Sequence, residues 1–224
     1  MPLTESKGNM YSWVTHTWNT IKGECPHGCT YCYMKRWGKQ KPVRFVESEL
    51  KTDLGEDNYI FIGSSCDMWA SNIPEQWIRK TLKHCERFGS KYLFQTKNPS
   101  RILDFIDTFV VANKSVICTT IESNRFYKEH MVDSPDLWLR ASEMNEIAHA
   151  GIETFVTIEP IMDFDLKEMV HYIETCLPTQ VNIGADSGNN NLPEPPKEKI
   201  LALIDELKKF TVIDQKRNLT RLLK

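Results

Sequence analysis

Three cysteines crowd into eight residues of the stretch GECPHGCTYCYMKRW, with three residues between Cys25 and Cys29 and two between Cys29 and Cys32. Thiolates are soft ligands, suited to iron–sulfur clusters or to zinc. Three of them on a four-iron cluster leave one iron without a cysteine, open to a substrate or cofactor much as a catalytic zinc keeps one open position. Pro26 and Gly28 let the backbone wrap closely round a bulky group. A zinc site of the three cysteines plus His27 is the chemical rival. A structural zinc site usually pairs two knuckles, and the sequence holds no second C-x2-C and no H-x3-H. Of the other four cysteines, Cys66 follows a strand-like run and would face a cleft. Cys85, Cys118 and Cys176 read as small core residues.

The elements that must position this loop alternate. Short apolar or β-branched runs at Ser12–Trp18, Tyr59–Ile62, Tyr92–Thr96, Val116–Ile121, Thr154–Ile158 and Val181–Ile183 are bounded by Gly, Ser, Asn or Pro, as buried strands are. Helical spacing follows between them. One helix opens at Pro74 with Gly89 as its C-cap, and another opens at Pro99. Three more fall near Leu137–Ala150, Leu166–Cys176 and Pro196–Phe210. Six strand–helix units imply a parallel sheet with outer helices, either doubly wound or curled into a barrel. In both, ligands gather at the carboxyl ends of the strands. Polar residues fall there: Gly63-Ser64-Ser65-Cys66-Asp67, Lys97-Asn98, Glu122-Ser123-Asn124, Glu159-Pro160 and Gly184-Ala185-Asp186-Ser187.

With 224 residues, 41% hydrophobic and 26% charged, the composition is that of an ordinary globular protein. The net charge of −2 demands no nucleic-acid or membrane partner for the chain as a whole. There is neither an apolar signal region near the start nor a run of 18 apolar residues, and the seven cysteines are odd in number. These features predict a cytoplasmic protein with reduced thiols and no membrane partner. The basic run Lys35, Arg36, Lys39, Lys41 and Arg44, interleaved with Tyr31, Tyr33 and Trp37, could track phosphates while its rings stack bases. A solvated face is the commoner meaning of such a run. The stretch ADSGNNNLPEPP, 185–196, reads as a loop, either a lid or a plain connection.

C-x3-C-x2-C with an aromatic residue before the last cysteine, here Tyr31, resembles the signature of the radical S-adenosylmethionine superfamily. The stretches CPHGCTYCY, FIGSSCDMW, FQTKNP and TIEP resemble, in order and rough spacing, the spore photoproduct lyases and a phage-associated family of small radical enzymes. The resemblance implies a single α/β domain over residues 1–210, a partial (β/α)6 barrel of parallel strands with outer helices. The mildly basic end, 211–224, reads as a frayed tail. The resemblance also implies a [4Fe–4S] cluster on Cys25, Cys29 and Cys32. The bound S-adenosylmethionine would be cleaved reductively to a 5′-deoxyadenosyl radical that abstracts hydrogen from a substrate.

The same resemblance places Tyr31 near the adenine, Gly63, Ser64 and Ser65 near the methionine amino group, and Lys97 at the methionine carboxylate. Glu122, Ser123, Asn124 and Glu159 have the chemistry that ribose hydroxyls need, although each could instead cap a helix or pair with an Arg. Cys66 would donate hydrogen to a product radical, or simply pack. The implied partners are an electron donor such as flavodoxin or ferredoxin and a nucleic-acid or nucleotide substrate, with a modified nucleobase in DNA as its reactive part. Two other classes stand beside this reading: a zinc-stabilised nucleic-acid-binding module, and a barrel that keeps a cluster without cleaving the cofactor.

Overall fold

The computed structural model describes residues 3–112 and 115–224. Its strands, in chain order, are β1 (Thr4–Glu5), β2 (His16–Trp18), β3 (Ile21–Lys22), β4 (Arg44–Phe45), β5 (Tyr59–Ile62), β6 (Lys91–Thr96), β7 (Ser115–Thr120), β8 (Glu153–Ile158), β9 (Gln180–Ile183) and β10 (Val212–Gln215). The main sheet runs β1-β2-β5-β6-β7-β8-β9-β10, and β3 pairs with β4 in a separate ribbon. Every neighbouring pair in the main sheet is parallel except β1 with β2. Parallel strands laid down in strict sequence order, joined by right-handed crossovers, put all their helices on one face. The sheet is therefore singly wound, an open partial barrel, and the doubly wound alternative falls away.

The helices are α1 (Glu75–Cys85), α2 (Ser100–Leu103), α3 (Ile106–Ala112), α4 (Lys128–Met131), α5 (Leu137–His149), α6 (Leu166–Thr175) and α7 (Lys197–Leu207). Asp136 starts α5, its side chain accepting from the backbone N–H groups of Trp138 and Leu139. α1 ends at Cys85, short of Gly89, because Arg87 and Phe88 bond back three residues and tighten the last turn. Gly89 serves a close approach instead, since a Cβ there would strike the Glu56 carboxylate. Among the described residues no helix is long and apolar enough to cross a membrane.

Strand alternation sorts two apolar clusters. Ile60, Ile62, Phe94, Ile117, Val156 and Ile158 face the helices, where Trp69 packs on Phe94, Phe105 and Phe109. Leu93, Val116, Cys118 and Phe155 face the other way, against Tyr11 and Val14 of the N-terminal segment. Trp13 joins them, stacked on Tyr11 and edge-on to Phe155. The first strand thus starts at His16 rather than Ser12. Residues 11–14 leave the ladder to turn, Val14 N–H onto Tyr11 C=O, and fill the inner face of the barrel. Cys85, Cys118 and Cys176 lie in the core, as expected.

The segment 211–224 is not a frayed tail. Residues 212–215 form β10, in register with 180–183 of β9, and add a seventh parallel strand to the six expected. The loop at 185–196 is also tied down. Asp186 accepts from the N–H groups of Gly188 and Asn190, Glu194 accepts from Asp186 N–H, and Arg221 pairs with Glu194.

Candidate functional site at the mouth of the barrel

The cysteine loop leaves β2 and returns to β5, so it lies over the carboxyl ends of the first parallel strands. Gly28 takes φ +64°, a left-handed turn inside the loop. α4 and the segment after it clamp the loop. Thr30 N–H donates to His130 C=O at 3.0 Å, Asp133 N–H donates to His27 C=O at 3.2 Å, and the Cys29 thiol sits 3.4 Å from the Ser134 hydroxyl. Cys29 is buried, while Cys25 and Cys32 are half-buried.

Below the loop lies Asp67, buried and surrounded by donors. One oxygen accepts from His27 Nε2 at 2.9 Å, Thr96 Oγ1 at 2.9 Å and Lys97 N–H at 3.0 Å; the other accepts from Trp69 N–H at 3.0 Å. Burial pushes this carboxyl up, but the hydrogen bond from His27 holds it below its ordinary value. Burial works against charge on His27, and the Asp67 carboxylate reverses that and raises its pKa. Asp67 therefore fastens the cysteine loop to the ends of β5 and β6. His27 contributes to that fastening through Nε2.

The Cys66 thiol is buried next to Cys25, and both cysteines are free. The neighbouring thiol lowers the pKa of Cys25 and, with burial, raises that of Cys66. Gly63 takes φ +81° at the end of β5, a conformation suited to glycine. Asn19 binds the Ser64 hydroxyl and the Ser65 N–H, and the Tyr33 hydroxyl donates to Ser64 C=O. Among the described residues the buried Ser65 hydroxyl atom has no partner.

A second buried carboxylate, Glu122, stands just beyond β7 with 0% exposure. Lys97 Nζ lies 2.5 Å from one oxygen, which also accepts from the Tyr31 hydroxyl; Arg140 Nη1 lies 3.0 Å from the other. Arg140 is itself fully buried and donates to the carbonyls of Thr120 and Pro135. Burial raises the carboxyl pKa, but Lys97 and Arg140 outweigh it and hold it down to about 2. Tyr31, under burial and beside Glu122, keeps its proton well above the ordinary range. Lys97 Nζ also lies 5.4 Å from the Tyr31 ring centre. Lys97, Tyr31 and Glu122 thus form one unit directly beside the cysteines.

The remaining candidates lie apart from that unit. Ser123 donates to Asp163 C=O at 2.6 Å. Asn124 binds Asp165 and Glu168 at the start of α6. Their polar atoms join β7 to the segment after β8. Glu159, beyond β8, holds Lys216 at 2.5 Å, Asn9 at 2.7 Å and Asn218 at 2.9 Å. A cavity of ≈ 560 Å³, lined by Asp186, Arg217 and Arg221 among others, opens at this far edge of the sheet. The sequence reading named His27 only as a zinc ligand and gave no role to Asp67 or Arg140. A burial-prone charge carries no local signature, and only the fold reveals it.

No family model matches the chain, and no curated protein matches it in sequence. Solved structures do match. A mutant of spore photoproduct lyase superposes with a TM-score of 0.65 at 12% identity, over 94% of this chain and 79% of that one. The chain shares the fold of spore photoproduct lyase. Spore photoproduct lyase complexed with dinucleoside spore photoproduct matches with a TM-score of 0.62 at 13% identity, over 92% and 65%. Streptococcus suis SuiB bound to its precursor peptide SuiA matches with a TM-score of 0.65 at 7% identity, over 91% of this chain and 49% of SuiB. SuiB bound to S-adenosylmethionine matches as well, with a TM-score of 0.59. At these identities the likeness is one of fold.

Proposed function

We propose that this chain is a radical S-adenosylmethionine enzyme acting on a nucleobase within nucleic acid. One observation carries the reading: a C-x3-C-x2-C loop sits on the carboxyl-end mouth of a partial barrel of the radical S-adenosylmethionine fold. The donor set fits a [4Fe–4S] cluster on Cys25, Cys29 and Cys32. Among the described residues no three His, Cys, Asp or Glu side chains form a set able to hold a single metal ion. Thiolates that each take a different iron need not meet at one point. A zinc site of the three cysteines and His27 fits less well, because a single ion needs its ligands to meet at one point and among the described residues no such set forms.

The cluster would supply one electron for reductive cleavage of S-adenosylmethionine to methionine and a 5′-deoxyadenosyl radical; an electron donor such as flavodoxin or ferredoxin would reduce it. The protein's own groups bind and orient. Lys97 has three donors and gives one to Glu122, so it can also take the methionine carboxylate. Ser65 offers a buried hydroxyl that has no partner among the described residues, beside Gly63 and Ser64. Tyr31 forms a wall held by Glu122. Cys66 supplies a weak S–H bond as hydrogen donor to the product radical. The dinucleoside complex of spore photoproduct lyase supports the nucleobase as substrate.

Anaerobic reconstitution with iron and sulfide, followed by dithionite and S-adenosylmethionine, tests the reading. The expected outcome is a brown protein that releases 5′-deoxyadenosine, and each of Cys25→Ala, Cys29→Ala and Cys32→Ala loses iron and the cluster absorption. Retention of both by all three variants sinks the proposal. Cys66→Ala is expected to leave cofactor cleavage intact and divert the final product. An unchanged product at a normal ratio to 5′-deoxyadenosine removes Cys66 from that role.

A further inference from the structure

The excursion that carries the cysteines continues into a second surface. β3 and β4 pair at its base, Ile21 opposite Phe45 and Lys22 opposite Arg44, and Glu24 N–H donates to Lys41 C=O at 2.8 Å. The segment 33–44 is therefore closed beside the cysteine loop. Residues 25–46 contain five cations, Lys35, Arg36, Lys39, Lys41 and Arg44, and no carboxylate, in a chain whose net charge is −2. All five are exposed. Among the described residues none of them makes an ion pair.

Two aromatics stand among them without a place in the core. Trp37 is 63% exposed and Tyr33 40%. The 3-10 helix that bears them, Tyr33–Trp37, buries no residue. Their rings meet edge to face at 5.8 Å, and the Arg36 guanidinium lies 5.7 Å from the Trp37 ring centre. The platform is fixed at both ends. The Tyr33 hydroxyl is bonded to Ser64 C=O, and Phe45 stacks on Trp77 of α1.

We propose that this surface binds single-stranded DNA and leads it to the cysteine loop. Unpaired cations follow phosphates, and an exposed indole stacks on a base face, which a duplex keeps hidden within its own stack. A surface built only for charge would have no use for an exposed tryptophan, since cations alone hold a duplex at least as well. The inference rests on the nucleic-acid substrate proposed above and names the form in which that substrate arrives.

Fluorescence anisotropy of a labelled oligothymidylate, free and annealed to its complement, tests it across a range of salt. The single strand is expected to bind about tenfold or more tighter than the duplex, and Trp37→Ala to weaken it by about tenfold, the range of one stacked base. Lys39→Gln and Lys41→Gln are each expected to reduce the salt slope by ~0.7. Equal or tighter binding of the duplex, or unchanged binding in Trp37→Ala, overturns the proposal. So does competition by inorganic polyphosphate as effective as that by unlabelled strand. The two readings fail separately. Trp37→Ala should keep its iron and its 5′-deoxyadenosine release in the absence of DNA. Cys29→Ala should lose iron and still bind the strand.

Discussion

Glu122 and Glu159 stand beyond neighbouring strands, β7 and β8, and each holds a lysine at 2.5 Å. Their surroundings differ. The lysine on Glu122 comes from the next strand toward the cysteines, and the pair is completed by Tyr31 and a fully buried Arg140. The lysine on Glu159 comes from the end of β10, and its other partners, Asn9 and Asn218, come from the two terminal segments. Glu159 also keeps 17% of its side chain exposed. One glutamate organises the mouth where the cysteines lie, and the other fastens the ends of the chain. Position after a strand brings a carboxylate to the mouth; its partners decide its role.

The largest effect should separate the two carboxylates. Glu122→Ala leaves Arg140 as an uncompensated buried charge, a loss of about 3–5 kcal/mol. Glu159→Ala removes the charge partner of Lys216 from a site where the glutamate still reaches water, a smaller loss of about 1.5–3 kcal/mol. Urea unfolding of both variants measures the difference, and equal losses would break the comparison. The two lysines should separate next, in cofactor binding. Lys97→Ala is expected to weaken S-adenosylmethionine by tens of fold, about 2 kcal/mol for a charge partner lost from a partly desolvated site. Lys216→Ala should leave that affinity unchanged. Titration of the anaerobic, cluster-loaded protein decides the matter, and a loss in Lys216→Ala equal to that in Lys97→Ala would erase the distinction.

The third contrast is one of pH. Glu122 titrates in the folded protein at about 2, against an ordinary 4.5. A carboxyl depressed by folding contributes stability that is fully present above its unfolded value and is lost as pH falls through the folded one. The contribution should therefore fade from about pH 4.5 down to about 2. Urea midpoints followed over that window should fall more steeply for the native protein than for Glu122→Gln. Parallel curves would show that Glu122 is not the group responsible.

Much of this was legible in the sequence. Five of the six expected strands match those found to within a residue at each end, because β-branched runs between Gly, Pro and Asn carry a strong local signal. The cysteine motif pointed to the mouth by its place after the first expected strand. β10 was missed because Val212–Gln215 is a short, half-wet edge strand among basic residues, with no apolar run to mark it. Asp67 and Arg140 were missed for a different reason. A charged residue is taken as exposed until its partners are known, and these partners lie 29–40 and 18–20 residues away. Ser123 and Asn124 had suitable chemistry in a suitable place, but the segment before α6 engages both.

The ammonium of Lys216 lies 4.3 Å from the ring centre of Tyr11. Tyr11 and Lys216 lie 205 residues apart in the sequence, so a nascent chain makes one long before the other. Tyr59 can cover Trp13 early and Phe155 can do so later, but the last partner of Tyr11 arrives only when β10 does. Contacts of such long sequence separation delay the closing step of folding. Until then the inner face of the half-made barrel carries an aromatic patch without its final cover, a surface that a chaperone or another unfinished chain could occupy first.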